Sequence, residues 1–157
     1  MKNDTQTNRP PYPASTVSEI DPRVAVVLAE AGLEYEEFTE GNCCVTLLLE
    51  PGLSESVVVS SRTVEVASRE QRRIFTVGCT NNDPCWGENL WRTLLQLNGM
   101  YNAGMWEITT RGEFEVAIFS VSIPADASAE EMRATLTLAA LNSHDLKVLL
   151  QHGLFLN

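Results

Sequence analysis

The chain has 157 residues and a formal net charge of −10, from 21 acidic against 11 basic side chains. That length is one ordinary domain, and an apolar share of 44% is enough to build its core. The acidic balance argues against binding a nucleic-acid backbone, which needs a basic face.

No apolar run approaches the roughly 18 residues of a membrane span. The first twenty residues lack the apolar core of a secretory signal, so a cytoplasmic protein with no membrane contact is expected. The four cysteines read as buried thiols. Cys43 and Cys44 are adjacent, Cys79 and Cys85 are six apart, and there is no C-x-x-C pair. His144 and His152 are remote from all four in sequence. Neither a metal nor a cofactor is expected.

Residues 1–18 are polar and carry Pro10, Pro11 and Pro13. They lack periodicity and read as a flexible arm, with residues 19–157 as a single domain. Asp21-Pro22 predicts a helix start: Asp accepts from free first-turn amides, and Pro loses nothing at the first helical position. Val24, Val27, Leu28 and Ala31 form its apolar stripe, and Gly32 stops it. Glu34, Glu36, Glu37 and Glu40 follow, interleaved with Leu33, Tyr35 and Phe38. They read as a solvated acidic edge.

Cys43–Glu50 predicts a strand closed by Pro51-Gly52. Ser56–Ala67 predicts a second, in which Val57 and Val59 share one parity and Val64 and Val66 the other. Such a switch implies a bulge, a bend or burial of both faces. Ser68–Gln71 reads as a turn and Arg72–Thr80 as a third strand. Arg69, Arg72 and Arg73 form the one basic cluster and read as a charged hairpin end.

Asn81-Asn82-Asp83-Pro84 is a turn signal. Glu88–Tyr101 predicts the central helix, with Leu90, Leu94, Leu97 and Tyr101 as its main stripe and Trp91 and Leu95 beside it. Met105–Thr110 and Glu113–Ile123 read as a hairpin turning at Arg111-Gly112. In the second strand Phe114, Val116 and Ile118 take one side, and Phe119, Val121 and Ile123 the other. This second switch predicts cover on both faces. Ser128-Ala129-Glu130-Glu131 is a capping box. The helix it opens is expected to break near His144, with a further segment at Asp145–Gln151.

No phosphate-binding glycine loop, G-x-S-x-G elbow or H-E-x-x-H pair occurs, so no catalytic residues are assigned. The fold class predicted is α+β, an antiparallel five-stranded sheet packed on helices in the order α-β-β-β-α-β-β-α.

Particular residues then carry a resemblance. Leu94-Leu95-Gln96-Leu97-Asn98, Gly104-Met105-Trp106-Glu107-Ile108 and Gly112-Glu113-Phe114-Glu115-Val116, followed by a polar capped helix, resemble the bacterial YbjN-like family. That family is similar in fold to type III secretion chaperones. The resemblance spans roughly residues 32–150. It implies a homodimer that binds other proteins without catalysis, chaperone-like or regulatory, its client unidentified. The parity switches and the charge point the same way: a sheet with apolar surface to spare, covered by a partner. Val57, Val59, Trp86, Phe119 and Val121, with the acidic Glu34, Glu36 and Glu37, are the candidate partner surface. The alternative is a small-ligand binder or motif-free enzyme, with Asn98, Tyr101 and His144 converging in a pocket between sheet and helices. A third reading is a scaffold subunit of a larger assembly.

Overall fold

The computed structural model describes residues 19–153. The proline-bearing arm, residues 1–18, lies outside the described residues. The elements are α1 (Pro22–Glu30), β1 (Glu36–Phe38), a 3-10 turn (Thr39–Gly41), β2 (Asn42–Glu50), β3 (Leu53–Val66), β4 (Arg69–Thr80), α2 (Glu88–Met100), β5 (Met105–Arg111), β6 (Phe114–Pro124) and α3 (Ala129–Gln151). All strand pairs are antiparallel, in the order β1-β2-β3-β4-β6-β5. The class is α+β.

The sheet has six strands where five were expected. The sixth is β1, drawn from the acidic stretch. Its residues, Glu-Glu-Phe, have little strand propensity. The turn after them does the work: Glu40 and Gly41 both take positive φ, 61° and 73°, and fold Glu36–Phe38 back onto β2. All three β1 residues are exposed, and the glutamates keep this edge from recruiting another strand.

The hairpin between β3 and β4 is tighter than predicted. Ala67 and Ser68 both have positive φ, 50° and 63°, as a two-residue turn of matching twist requires. Arg69–Gln71 are therefore strand, not turn. The first parity switch is a change of face: Val57 and Val59 point inward and Val64 and Val66 outward, and the bulge between them leaves the facing unchanged. Between the pairs Val59–Ile74 and Thr63–Arg72, β3 advances four residues and β4 two. β6 behaves differently. Its register to β5 is unbroken, so it presents both parities truly, Phe119 and Val121 to one face and Val116 and Ile118 to the other.

The helices cover one face only. Val24 and Leu28 of α1, Leu90, Leu94 and Leu97 of α2, and Met132, Leu136, Ala139 and Leu146 of α3 share one core. They pack on Val45, Val57, Val59, Ile74, Trp106, Phe119 and Val121 of the sheet. Space is tight where Gly104 (φ 77°) faces Phe119: a Cβ there would lie 2.4 Å from the ring's Cζ. α3 runs unbroken through His144, against the expected break. Its buried Asn142 bonds back to the Leu138 carbonyl, and Ser143 reaches Glu55 and the Val77 carbonyl on the sheet. Packing overrides the weak propensity of Asn-Ser-His-Asp. The capping box at Ser128 forms as predicted.

Two charged side chains lie inside, Glu55 and Arg72. Arg72, 1% exposed, donates to the Asp21 carboxylate at 2.7 Å and to the Ser60 carbonyl at 2.7 Å. Asp21 also caps α1 through the Arg23 amide, and its own amide donates to Ser61 Oγ. The basic cluster is thus divided: Arg72 ties α1 to the sheet, while Arg73 emerges on the other face. Hydrogen bonds from Arg23, opposed by burial, and then those from Arg72 hold the Asp21 carboxyl well below the usual carboxylate range. The native value lies below the unfolded value of about 3.9, so this stabilisation is present above that pH and lost as pH falls toward the native value. Asp21→Asn keeps a capping oxygen but strands the buried guanidinium. It should cost about 3 kcal/mol in urea denaturation at neutral pH, and the variant should lose less stability than the parent on acidification.

Candidate protein-interaction surface

The face away from the helices has nothing of the described chain over it. Register places one outward residue per strand in a row across all six: Glu36, Cys44, Val58, Phe75, Ser120 and Met105. A second row sets Val77 and Glu107 on either side of Ile118. Ile118, on this face, is 1% exposed. Val77, Val64, Val66, Met105 and Phe114 remain exposed around it. Arg73 lies over the Phe75 ring, 5.6 Å from its centroid, and pairs with Glu107. Glu107 also accepts from Ser120 Oγ at 2.9 Å.

The predicted partner surface is corrected by this geometry. Val57, Val59, Phe119 and Val121 are buried under the helices, on the inner face. The outward apolar residues are their immediate neighbours, Val58 and Ile118. In β3 Val64 and Val66 lie on the outer face with Val58, past a bulge of two extra residues that keeps the parity; in β6 the inner parity is the larger one and belongs to the core. Trp86 is half-buried against that core. Its neighbour along the chain, Trp91, is the exposed tryptophan. Glu34, Glu36 and Glu37 stay at the β1 edge, where Glu34 and Glu36 line a shallow depression with Tyr35, Cys44 and Thr46.

The pocket trio does not converge on a ligand. Asn98 Nδ2 donates to the Trp106 carbonyl at 2.8 Å, and the Trp106 amide donates to Asn98 Oδ1 at 2.6 Å. Tyr101 and Trp106 both stand edge-on to Phe119 with centroids 5.6 Å away. Among the described residues no three His, Cys, Asp or Glu side chains gather in a way that could hold a metal ion. No described helix is long and apolar enough to cross a membrane.

The Asn98 contact reveals an edge that sequence reading missed. Backbone groups in an antiparallel strand point alternately to either side. Asn98 takes both groups of Trp106, so those groups point away from β6. Ile108 and Thr110, two and four residues on, must point the same way. Asn98 fills the first place beside β5, and the next two are open among the described residues. On α2, Trp91 and Leu95 lie on the same stripe as Asn98, at seven- and three-residue spacing. They are 46% and 72% exposed. An open strand edge and an apolar helical stripe therefore adjoin.

Compared with known proteins, the chain matches no family model and no curated protein.

The two faces of the sheet make opposite mutational predictions. Phe119→Ala should cost about 4 kcal/mol, measured by urea denaturation, because it empties a packed core position. Phe75→Ser, on the uncovered face, should cost about 1 kcal/mol or less.

Proposed function

We propose that this is a non-enzymatic protein-binding domain that works as a homodimer, joined through β5 and the adjoining stripe of α2. One observation carries the reading. The open stretch Glu107-Ile108-Thr109-Thr110-Arg111 is complementary to itself when a second copy runs antiparallel about Thr109. Ile108 then meets the partner's Thr110, twice over, and these are the residues with outward amides and carbonyls. Glu107 meets the partner's Arg111, also twice, and Thr109 meets its own counterpart. Opposite charges and paired threonines are the favourable cross-strand neighbours. Arg111 has no ion-pair partner of its own among the described residues. Glu107 keeps a second carboxylate oxygen beyond the one that holds Arg73 and Ser120. Trp91 and Leu95 would be covered in the same step, which is what a symmetric interface needs at its centre.

The dimer leaves the face of Val58, Phe75, Val77 and Ile118 for a client. With acids at its rim and a chain charge of −10, that face suits an apolar protein segment with basic neighbours. This reading takes up the resemblance to YbjN-like proteins and, through them, to type III secretion chaperones: sheet, helices and dimer serve to hold another protein.

Sedimentation at micromolar concentration should show a dimer for the parent chain, and a clean monomer would overturn the dimer. Ile108→Pro removes only an amide that points outward, so it costs no bond to β6. It should give a folded monomer, with its circular dichroism unchanged. Arg111→Glu should weaken the dimer at least tenfold, the change that follows from about 1.4 kcal/mol of lost cross-strand pairing.

A further inference from the structure

The end of β4 and the loop into α2 carry chemistry that protein binding does not use. A groove of about 310 Å³ is lined there by Gly78, Cys79, Asp83, Pro84, Cys85 and Lys147, among others. Asp83 fixes the loop. Its carboxylate accepts from the Thr80 amide at 2.6 Å and from the Thr80 hydroxyl at 3.1 Å. Its carbonyl accepts from the Trp86 amide at 3.0 Å. The chain is thereby doubled back, so that two cysteines six residues apart open on one groove.

Both are free thiols; Cys79 is buried and Cys85 half-buried. Burial first, and then the charge of Cys85 and a side-chain hydrogen bond with it, push the Cys79 thiol up to about 12. The two thiols thus line one groove, one sheltered and one reachable. Such a pair differs from an inert buried cysteine, because an attacked outer sulfur has a resolving thiol beside it.

We propose that Cys79 and Cys85 form a thiol-oxidation site for a small, low-molecular-weight disulfide that enters this groove. The Cys85 thiolate attacks one sulfur of the small disulfide. That S–S bond breaks, a mixed disulfide forms on Cys85, and one small thiolate leaves. The small thiolate is protonated by solvent, and Cys79 gives its proton to solvent base as it attacks. Cys79 sulfur then attacks Cys85 sulfur, and the second small thiol departs. Two protein thiols are oxidised to one disulfide, and the small disulfide is reduced to two thiols. The crosslink would tie the end of β4 to the approach of α2, a helix whose first residue follows Gly87 without a side-chain cap. It would stiffen the loop where this helix begins. The inference stands apart from the dimer and does not depend on it.

The test uses the full folded chain with oxidised glutathione at about pH 8, near the ordinary thiol value, followed by alkylation and peptide mass mapping. The parent should yield the Cys79–Cys85 pair, lighter by two hydrogens, with Cys43 still open to alkylation once the chain is denatured. Cys79→Ser should leave glutathione stably attached to Cys85. Cys85→Ser should leave Cys79 reduced. The proposal is overturned if the folded parent keeps glutathione on Cys85 as the variant does. It is also overturned if both thiols stay reduced in the folded chain while a urea-unfolded sample closes the pair.

Discussion

Everything in this structure follows from a sheet with two large faces and helices enough for one. α3 has 23 residues and is about 34 Å long. It crosses β2, β3, β4 and β6 from the inner side, with α1 packed on its flank and α2 at the β5 end. Burying a Leu, Ile or Phe side chain contributes about 1.5–3 kcal/mol, so the inner face with its Val, Ile, Phe and Trp supplies most of the stability. The outer face contributes through its middle alone. Ile118 and Val58 are buried there, at 1% and 8% exposure, and burial thins out toward Val64, Val66 and Phe114. A sheet arranged this way draws its stability mainly from one side.

The bulge in β3 explains why a guanidinium can be inside. Up to Val59 the inward residues of β3 are apolar except Glu55, which is held by Lys147 at 2.5 Å and by Ser143. Beyond it the inward places pass to Ser61 and Thr63, and the shifted backbone offers the Ser60 carbonyl. That corner is polar before any arginine arrives. Arg72 then satisfies the carbonyl and meets Asp21, which in turn is fixed by its role as the cap of α1. Helix start, strand bulge and buried charge are one unit, and the N-terminal helix is docked by it rather than by its short apolar stripe alone.

Much of the fold could be read from residues whose meaning is local. Asp21-Pro22, Pro51-Gly52, Arg111-Gly112 and Ser128 with Glu131 each specify a start or a turn by their own chemistry, and each stands where predicted. The failures share a cause: they needed knowledge of what lies across space. β1 is a strand because β2 is beside it, not because Glu-Glu-Phe prefers to extend. Ala67-Ser68 turns without a glycine because two strands demand it. α3 continues through Asn-Ser-His-Asp because Ser143 finds Glu55. Val57, Val59, Phe119 and Val121 were expected at a surface and lie buried for the same reason. Alternation reveals that β6 has two apolar faces, but not which one the helices choose. Phe119 and Val121 were the larger pair and so belonged inside. The open places on β5 left no mark in the sequence, since they are defined by the side chain of Asn98, eight residues before Trp106.

That side chain also bears on the kind of assembly the edge permits. A sheet with two free edges risks adding copies without end, since any strand can be a template for the next. Here the two edges are unequal. β1 is three residues long and carries Glu36 and Glu37, so it offers little ladder to a β5 strand. β5 is longer, but Asn98 occupies the place beside Trp106 and shortens what is open to the stretch around Thr109. An edge so restricted favours a register in which it meets itself, with Glu107 against the partner's Arg111. In the proposed dimer each copy would consume the other's β5 edge, and growth would stop at two. In that dimer Asn98 would do more than bond the Trp106 backbone: by taking the first of three places on the edge it would turn a surface prone to open-ended pairing into one fitted to a closed pair.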